Sequence, residues 1–172
     1  MDLKNVDKWR KVKISDLFQV GTGYPLTKKQ RRPGDIPFVS SSKFENGIVD
    51  DISNPDNLIL CKPNTITVSM NGSMIALYHD QPYLCSGSVA VLTPRTYIHP
   101  QELKFIATVI TYLIRDFDYF NHLNQRKVRE LCIYIPYTSY GERDYGLMCE
   151  IVNDLTDKAD QHLEFMDGIG WL

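Results

Sequence analysis

The chain has 172 residues, is 43% hydrophobic and 23% charged, and carries a formal net charge of −2. That length holds one domain with a sizeable core, and the composition excludes an intrinsically disordered chain. A net charge this small excludes a uniformly basic nucleic-acid binder, so an anion-binding role has to come from how charge is distributed. The distribution is uneven: Met1 to Gly47 carries ten Lys/Arg against five Asp/Glu, whereas Glu142 to Leu172 carries two against eight. Such polarity fits one face for an anion and another for a protein, and it equally fits two solvated faces. Cys61, Cys85, Cys132 and Cys149 are widely spaced with no Cys-x-x-Cys, and read as free thiols of a reducing cytoplasm. No apolar signal core opens the chain, and no run approaches the ~18 apolar residues of a membrane span.

Trp9 reads as a buried tryptophan, Lys11 to Ile14 as a basic strand, and Ser15 as the cap of a one-turn helix holding Leu17 and Phe18. Gly21-Thr22-Gly23 ends that unit. Tyr24 to Pro33 is a polar loop carrying Thr27, Lys28, Lys29, Gln30, Arg31 and Arg32, a cation cluster suited to phosphate contact or to a solvated tip. Ile36, Phe38 and Val39 then read as a strand entering a core, followed by Ser40-Ser41-Ser42 and Lys43. Asn46-Gly47 closes a tight turn, because both residues tolerate positive φ, and Ile48-Val49 starts a return strand. A half-buried strand thus delivers small hydroxyls and one ammonium to a loop, which suits phosphates and base edges.

Beyond Asp50-Asp51 the apolar run Leu58 to Leu60 leads to a Pro63-Asn64 turn, and Thr65 to Ser69 alternates with period two. Asn71-Gly72-Ser73 turns again, Met74 to Tyr78 returns, and His79 to Pro82 turns once more. Tyr83 to Cys85 follows, and Val89 to Leu92 reads as a buried strand. Short strands at regular spacing predict a strongly curved antiparallel or mixed sheet. Pro100-Gln101-Glu102 opens a helix, and Leu103, Phe105, Ile106, Val109, Ile110, Leu113 and Ile114 recur at helical spacing, so that helix lies on the sheet. Tyr119 to Gln125 breaks it, and Arg126 to Arg129 precedes a last strand, Leu131 to Pro136.

Past that strand, Thr138 to Tyr145 reads as a linker. Met148, Val152, Leu155, Ala159, His162 and Met166 then recur at alternating spacings of four and three, a heptad seam on an acidic helix. A lone helix of this length is marginal in water, so the seam packs on its own domain or meets a partner helix. The class is α+β: a curved β-rich domain over residues 1–137 with a packed helix, a linker over 138–145, and a C-terminal amphipathic helix over 146–168.

The residues of catalysis are not assembled in recognisable form. His79, His99, His122 and His162 lack metal-ligand spacing, and neither a Gly-x-Ser-x-Gly elbow nor a Gly-Lys-Ser/Thr phosphate loop is present. Ser86-Gly87-Ser88 reads as a turn. Pro55-Asp56 with Glu102-Leu103-Lys104 loosely mimics a nuclease site, but Glu102 fits a helix-start acid that complements the macrodipole. Asn54-Pro55-Asp56-Asn57 is not the Asn/Asp-Pro-Pro-aromatic run of an adenine methyltransferase. The expectation is a non-catalytic chain without cofactor or metal.

Taken in order, the residues resemble a target-recognition domain of the specificity (S) subunits of type I restriction–modification systems and of related type IIB and IIG enzymes. The resemblance rests on Trp9 and Ile14 to Phe18, on Gly21-Thr22-Gly23 with the Thr27–Arg32 loop, and on Gly34 to Ser40 with Asn46 to Val49. It continues through Asn64 to Ser73, Ser88 to Leu92, and Gln125-Arg126-Lys127 leading to Ile133 to Pro136. It covers roughly residues 9 to 136. It implies a β-rich domain reading one half of a bipartite double-stranded DNA site, a following helix that pairs with a second helix, and catalysis on separate methyltransferase and restriction subunits. The chain departs from the family in holding one recognition domain and a short helix, and in carrying Pro136 to Gly141 where a Pro-rich, Glu-Gln segment is usual. It reads as a half-subunit that dimerises through the 148–166 seam, or as a domain cut from a longer protein. A non-catalytic protein-interaction module or decoy binding a methyltransferase or restriction partner is the rival reading.

On that resemblance, Lys28, Lys29, Arg31, Arg32, Lys43, Arg126 and Lys127 are the expected phosphate contacts. Thr27, Gln30, Ser41, Ser42, Asn71, Ser73, Asn124 and Gln125 are the expected base readers.

Overall fold

A computed structural model describes residues 8–117 and 122–169, without the side chains of 55 and of 163–169. The strands are β1 (Trp9–Lys13), β2 (Phe18–Thr22), β3 (Pro33–Val39), β4 (Ile48–Ile52), β5 (Thr65–Ser69), β6 (Ala76–His79), β7 (Leu84–Cys85), β8 (Val89–Pro94) and β9 (Cys132–Pro136). The helices are α1 (Ile14–Leu17), α2 (Pro100–Ile114), α3 (Gln125–Glu130) and α4 (Tyr145–Ile169). Among the described residues the strands form three sheets, in the orders β1-β9, β2-β8-β5-β6 and β4-β3-β7. All pairs are antiparallel except β3 with β7. This is the mixed α+β arrangement that the spacing of turns predicts.

The four-stranded sheet is the middle layer, and β8 explains why. Its residues alternate between two cores: Ala90 and Leu92 face one cluster with α2, while Val89 and Val91 face another with Val39, Tyr83 and Cys85. A strand covered on both faces reads as an unbroken apolar run, which is what Val89 to Leu92 is. The main cluster joins Phe18, Ile66, Val68, Leu103, Ile106, Ile110, Ile114, Ile133, Ile135 and Met148. A third cluster, Phe38, Ile52 and Leu84, fills the β3–β4 hairpin.

β5 carries period-two alternation, yet all five of its residues are buried. Its polar face does not meet solvent. Thr65 Oγ1 and the Tyr83 hydroxyl lie 2.9 Å apart, and Thr67 Oγ1 lies 2.8 Å from His79 Nε2. The His79 ring stacks at 4.5 Å on Tyr83. Buried hydroxyls are tolerated because each has a partner. Beside them, Cys61 Sγ and Cys85 Sγ are 3.8 Å apart, and both thiols are free. The hydrogen bond between them favours charge on Cys61, whose pKa is lowered, and pushes that of the buried Cys85 upward.

The outer edge of the middle sheet is β6. Side chains occupy three of its main-chain groups: Ala76 N donates to Thr111 Oγ1 at 2.9 Å, Thr111 Oγ1 donates to Ala76 O at 3.2 Å, and Asn46 Nδ2 donates to Tyr78 O at 3.1 Å. Side chains thereby cover an edge that could otherwise pair with another strand.

Three local readings change. Ser15 lies inside α1, whose cap position is Lys13 with no side-chain cap bond. Trp9 is only partly buried against the core. Arg126 to Arg129 is helical, within α3, because Asn124 Oδ1 caps it by accepting from Lys127 N at 2.9 Å. The break after α2 falls partly at 118–121, outside the described residues. Glu102 does start a helix: its Oε2 accepts from His99 N at 3.0 Å while His99 Nδ1 accepts from Gln101 N at 3.3 Å. This carboxylate is buried and ion-pairs with Arg143 Nε at 2.8 Å. Residues 138–145 are therefore tied down rather than loose. Tyr137 bridges Arg143, Thr138 N donates to Glu142 O at 2.8 Å, and Leu147 N donates to Asp144 Oδ1 at 3.0 Å at the start of α4.

The heptad seam divides. Met148 and Ile151 are buried and Val152 packs on the same core, against α2. Leu155 is 41% exposed, and Ala159 and His162 are exposed. The side chain of Met166 lies outside the described part.

Burial lowers the pKa of His79 from 6.5 to about 4. The unfolded chain then takes up the proton first. Stability is full above pH 6.5, falls by up to about 1.4 kcal/mol per pH unit below it, and levels off near pH 4 after a total of about 3 kcal/mol. Urea titrations of wild type and His79→Gln at pH 7, 6, 5 and 4 check this, the variant lacking that part of the decline.

Candidate nucleic-acid interface

Strand ends and turns assemble the site around the short turn Cys85 to Ser88. Ser86 N donates to Val39 O at 2.9 Å, which holds the end of β3 and the serine row after it. Tyr24 N donates to Cys85 O at 2.8 Å and Gly87 N to Tyr24 O at 3.0 Å, which brings in the start of the Tyr24–Pro33 loop. Met70 N donates to Ser88 O at 3.0 Å, which brings in the turn after β5.

Side chains close the same surface. Ser41 Oγ lies 3.2 Å from Ser88 Oγ, Ser86 Oγ 2.7 Å from Ser88 Oγ, and Ser40 Oγ donates to Ser86 Oγ at 3.3 Å. A Cβ placed on Gly72, whose φ is +69°, would stand 3.8 Å from Ser41 O, so the Asn71–Ser73 turn abuts the serine row. Asn71 is exposed and Ser73 half-buried. Ser42 is engaged locally: its Oγ accepts from Phe44 N at 3.1 Å. Lys43 is exposed, with its Nζ 5.3 Å from the Phe44 ring centre.

The Thr27–Arg32 loop sits elsewhere. It enters β3 at Pro33, the end of the strand opposite the serine row, and seven residues of strand separate the two by about 20 Å. The loop and the serine row therefore do not meet on one tip. Within the loop, Thr27 N and Oγ1 both donate to Gln30 Oε1, at 2.9 and 2.7 Å, which commits the carbonyl end of Gln30. Arg31 is committed as well. It pairs with Asp50, lies 5.0 Å over the Phe38 ring, and is only 17% exposed at its side chain. Lys28, Lys29 and Arg32 are exposed, and among the described residues none is ion-paired. Lys29, Gln30 and Arg32 border a polar cleft with Ser53, Asn54 and Asp56.

The last candidate segment is α3. Gln125 Nε2 and Arg129 both donate to Val20 O, at 3.1 and 3.0 Å, fastening the helix to β2. Val20 is four residues before Tyr24, about 13 Å along an extended chain. Asn124 is the cap of α3, and Lys127 Nζ donates to His122 O at 2.6 Å and lies 5.4 Å over the Phe117 ring. Arg126 is exposed.

The structure thus groups Ser41, Lys43, Asn71 and Ser73, sets Lys28, Lys29 and Arg32 apart at the opposite end of β3, and gives Arg31, Ser42, Asn124 and Gln125 bonds within the fold. It adds Ser86 and Ser88, which the sequence offers only as a turn. Their signal was the repeat of hydroxyl chemistry between two apolar runs, the same pattern as Ser40 to Ser42. No group of three or more His, Cys, Asp or Glu that could hold a metal ion occurs among the described residues.

A β-rich domain that lays hydroxyls, amides and exposed cations along loop tips, followed by a helix whose seam is partly exposed, defines a recognition module. Residues 6–164 match the model of the type I restriction modification DNA specificity domain, and the chain belongs to that family. It is 27% identical over 153 residues to the type II restriction enzyme BgcI specificity subunit S.BcgI of Heyndrickxia coagulans, covering 88% of this chain and 44% of that protein. The fold is that of the S subunit of a type I restriction–modification system from M. genitalium, with a TM-score of 0.65 at 16% identity over 97% of this chain and 45% of the other. The HsdS subunit from Thermoanaerobacter tengcongensis gives a TM-score of 0.63 at 14% identity, over 99% and 41%. A chain from a study of complex assembly and conformational transition of the type I R-M system gives 0.67 at 15% identity, over 92% and 40%. The chain spans less than half the length of each of these relatives.

Arg31→Ala is expected to act on the fold. Loss of the ion pair and of the ring contact costs about 1–2 kcal/mol. The check is a lower urea midpoint at unchanged slope.

Proposed function

We propose that this chain reads one half of a split double-stranded DNA sequence for a restriction–modification complex, as half of a specificity subunit. The observation that carries this is the meeting of the serine row, the Asn71–Ser73 turn and the Ser86–Ser88 turn on one surface, with the exposed Lys43 beside it and with Lys28, Lys29 and Arg32, which form no ion pair among the described residues, on the loop at the far end of β3. Phosphate contacts by Lys28, Lys29, Arg32, Lys43 and Arg126 set register, and Ser41, Asn71, Ser73 and their neighbours read base edges. Methylation and cleavage belong to separate methyltransferase and restriction subunits, in the cytoplasm. This chain contributes recognition only and uses no cofactor.

A second recognition half comes from another copy, from another chain or from the remainder of a longer chain. The exposed stretch of α4 that includes Leu155, Ala159 and His162 is the surface for it, since Met148 and Val152 are already used by the core. Leu155→Asp is expected to turn a dimer into a monomer in sedimentation velocity with thermal stability retained, because Leu155 is 41% exposed. A wild-type chain that sediments as a monomer removes the homodimer from the proposal.

Replacing Lys28, Lys29 and Arg32 together by Gln is expected to flatten the dependence of log affinity on log salt by about 2 to 3 units, at about 0.9 per phosphate contact. Gel shifts on a random-core duplex pool over a salt series measure it, and an unchanged slope takes the loop out of the interface. Mixing the chain with a methyltransferase subunit in the absence of DNA tests the rival module. Complex formation without any duplex binding by the chain or the complex favours an interaction partner over a DNA reader.

A further inference from the structure

Phe44 is 70% exposed and belongs to none of the apolar clusters of the fold. Single exposed apolar residues are ordinary, but this one is held out by an ordered turn. Phe44 N donates to Ser42 Oγ at 3.1 Å, Gly47 N to Phe44 O at 2.8 Å, and Ser40 N to Gly47 O at 2.9 Å. Asn46 Nδ2 ties the tip to Tyr78 O of β6 at 3.1 Å. Glu45, Asn46 and Gly47 have φ of 47°, 50° and 79°. Left-handed backbone is uncommon at residues that are not glycine and persists where the surroundings favour it. The hydrogen bonds of Gly47 N, Gly47 O and Asn46 Nδ2 hold that backbone, and Gly47 itself lies close to Leu77, where a Cβ would stand 3.0 Å from Cδ1. Ser42, a candidate base reader by sequence, spends its hydroxyl on this brace.

The ring shares its tip with Lys43, 5.3 Å away, and the tip adjoins the surface where Ser41 meets the Asn71–Ser73 turn. Hydroxyls and amides recognise the donors and acceptors of base edges, and an ammonium recognises phosphate. The one major-groove feature none of them recognises is the apolar C5-methyl of thymine, which phenylalanine can pack against. We propose that Phe44 is a specificity residue that packs on a thymine 5-methyl group in the major groove of the target, with Lys43 on the neighbouring phosphate. This rests on the DNA-recognition reading above.

The probe is the best duplex enriched from a random-core pool by the wild-type chain, with each thymine replaced in turn by deoxyuridine, which removes only the methyl. At one thymine, wild type is expected to lose about 3- to 10-fold in affinity. Phe44→Ala is expected to lose a similar factor on the thymine duplex and to become indifferent to that replacement, so the two losses do not add. Its thermal stability and salt slope stay as in wild type, because the ring is outside the core and touches no phosphate. Losses that add, or a variant equal to wild type on every duplex, overturn the inference while duplex binding by wild type leaves the DNA reading intact. A variant that binds weakly while no uracil matters, with 2-aminopurine brightening on wild-type binding, identifies a wedge between base steps and overturns the methyl contact. A wild-type chain that enriches no duplex overturns the DNA reading and the inference together.

Discussion

Main-chain hydrogen bonds to the Cys85–Ser88 turn are what the proposed recognition surface depends on. That turn bonds the end of β3, the start of the Tyr24 loop and the residue after β5 at 2.8–3.0 Å. It sits between β7, in one sheet, and β8, in another. Because β8 is buried on both faces, the turn cannot shift without disturbing two cores at once. Side chains at the tips can vary while the backbone beneath them is held in place.

The same rigidity explains a division of labour among polar residues that share a loop. Arg31 and Lys28 lie three residues apart, yet Arg31 is bound to Asp50 and stacked on Phe38 while Lys28 is exposed. Gln125 and Arg126 are adjacent, and one fastens α3 to β2 while the other faces solvent. Loops that must present chemistry in register need some of their polar groups as fasteners, because a surface loop has few apolar contacts to hold it.

Much of the fold was legible in the sequence for physical reasons. The Asn46-Gly47 and Asn71-Gly72 turns, the Val89–Leu92 strand and the Pro100 helix start all depend on local backbone chemistry or short-range periodicity. What was not legible depended on long-range partners. The alternation of Thr65 to Ser69 gives no hint that its hydroxyls meet Tyr83 and His79. Nothing near Thr138 announces that Arg143 will reach Glu102, 41 positions away, and turn a linker into a clamp. The heptad seam was visible, but where the core stops using it was not, since Met148 and Leu155 are equally apolar. For the candidate site, residue types were readable and their commitments were not. Arg31 and Lys29 look alike until Asp50 is placed, and Ser86 and Ser88 gain meaning only beside Ser40 and Ser41.

Asn46 stands at both ends of one hydrogen bond's usefulness. It steadies the tip of the recognition turn, and it plugs Tyr78 O on the border strand of the middle sheet, next to the Thr111 hydroxyl on Ala76. A change that reshapes this turn therefore also alters the cover on the edge of its sheet. Variation that keeps an amide at this position is free to explore. Variation that drops it frees Tyr78 O, an acceptor on the sheet edge that another strand can pair with, so edge protection constrains how this turn can change.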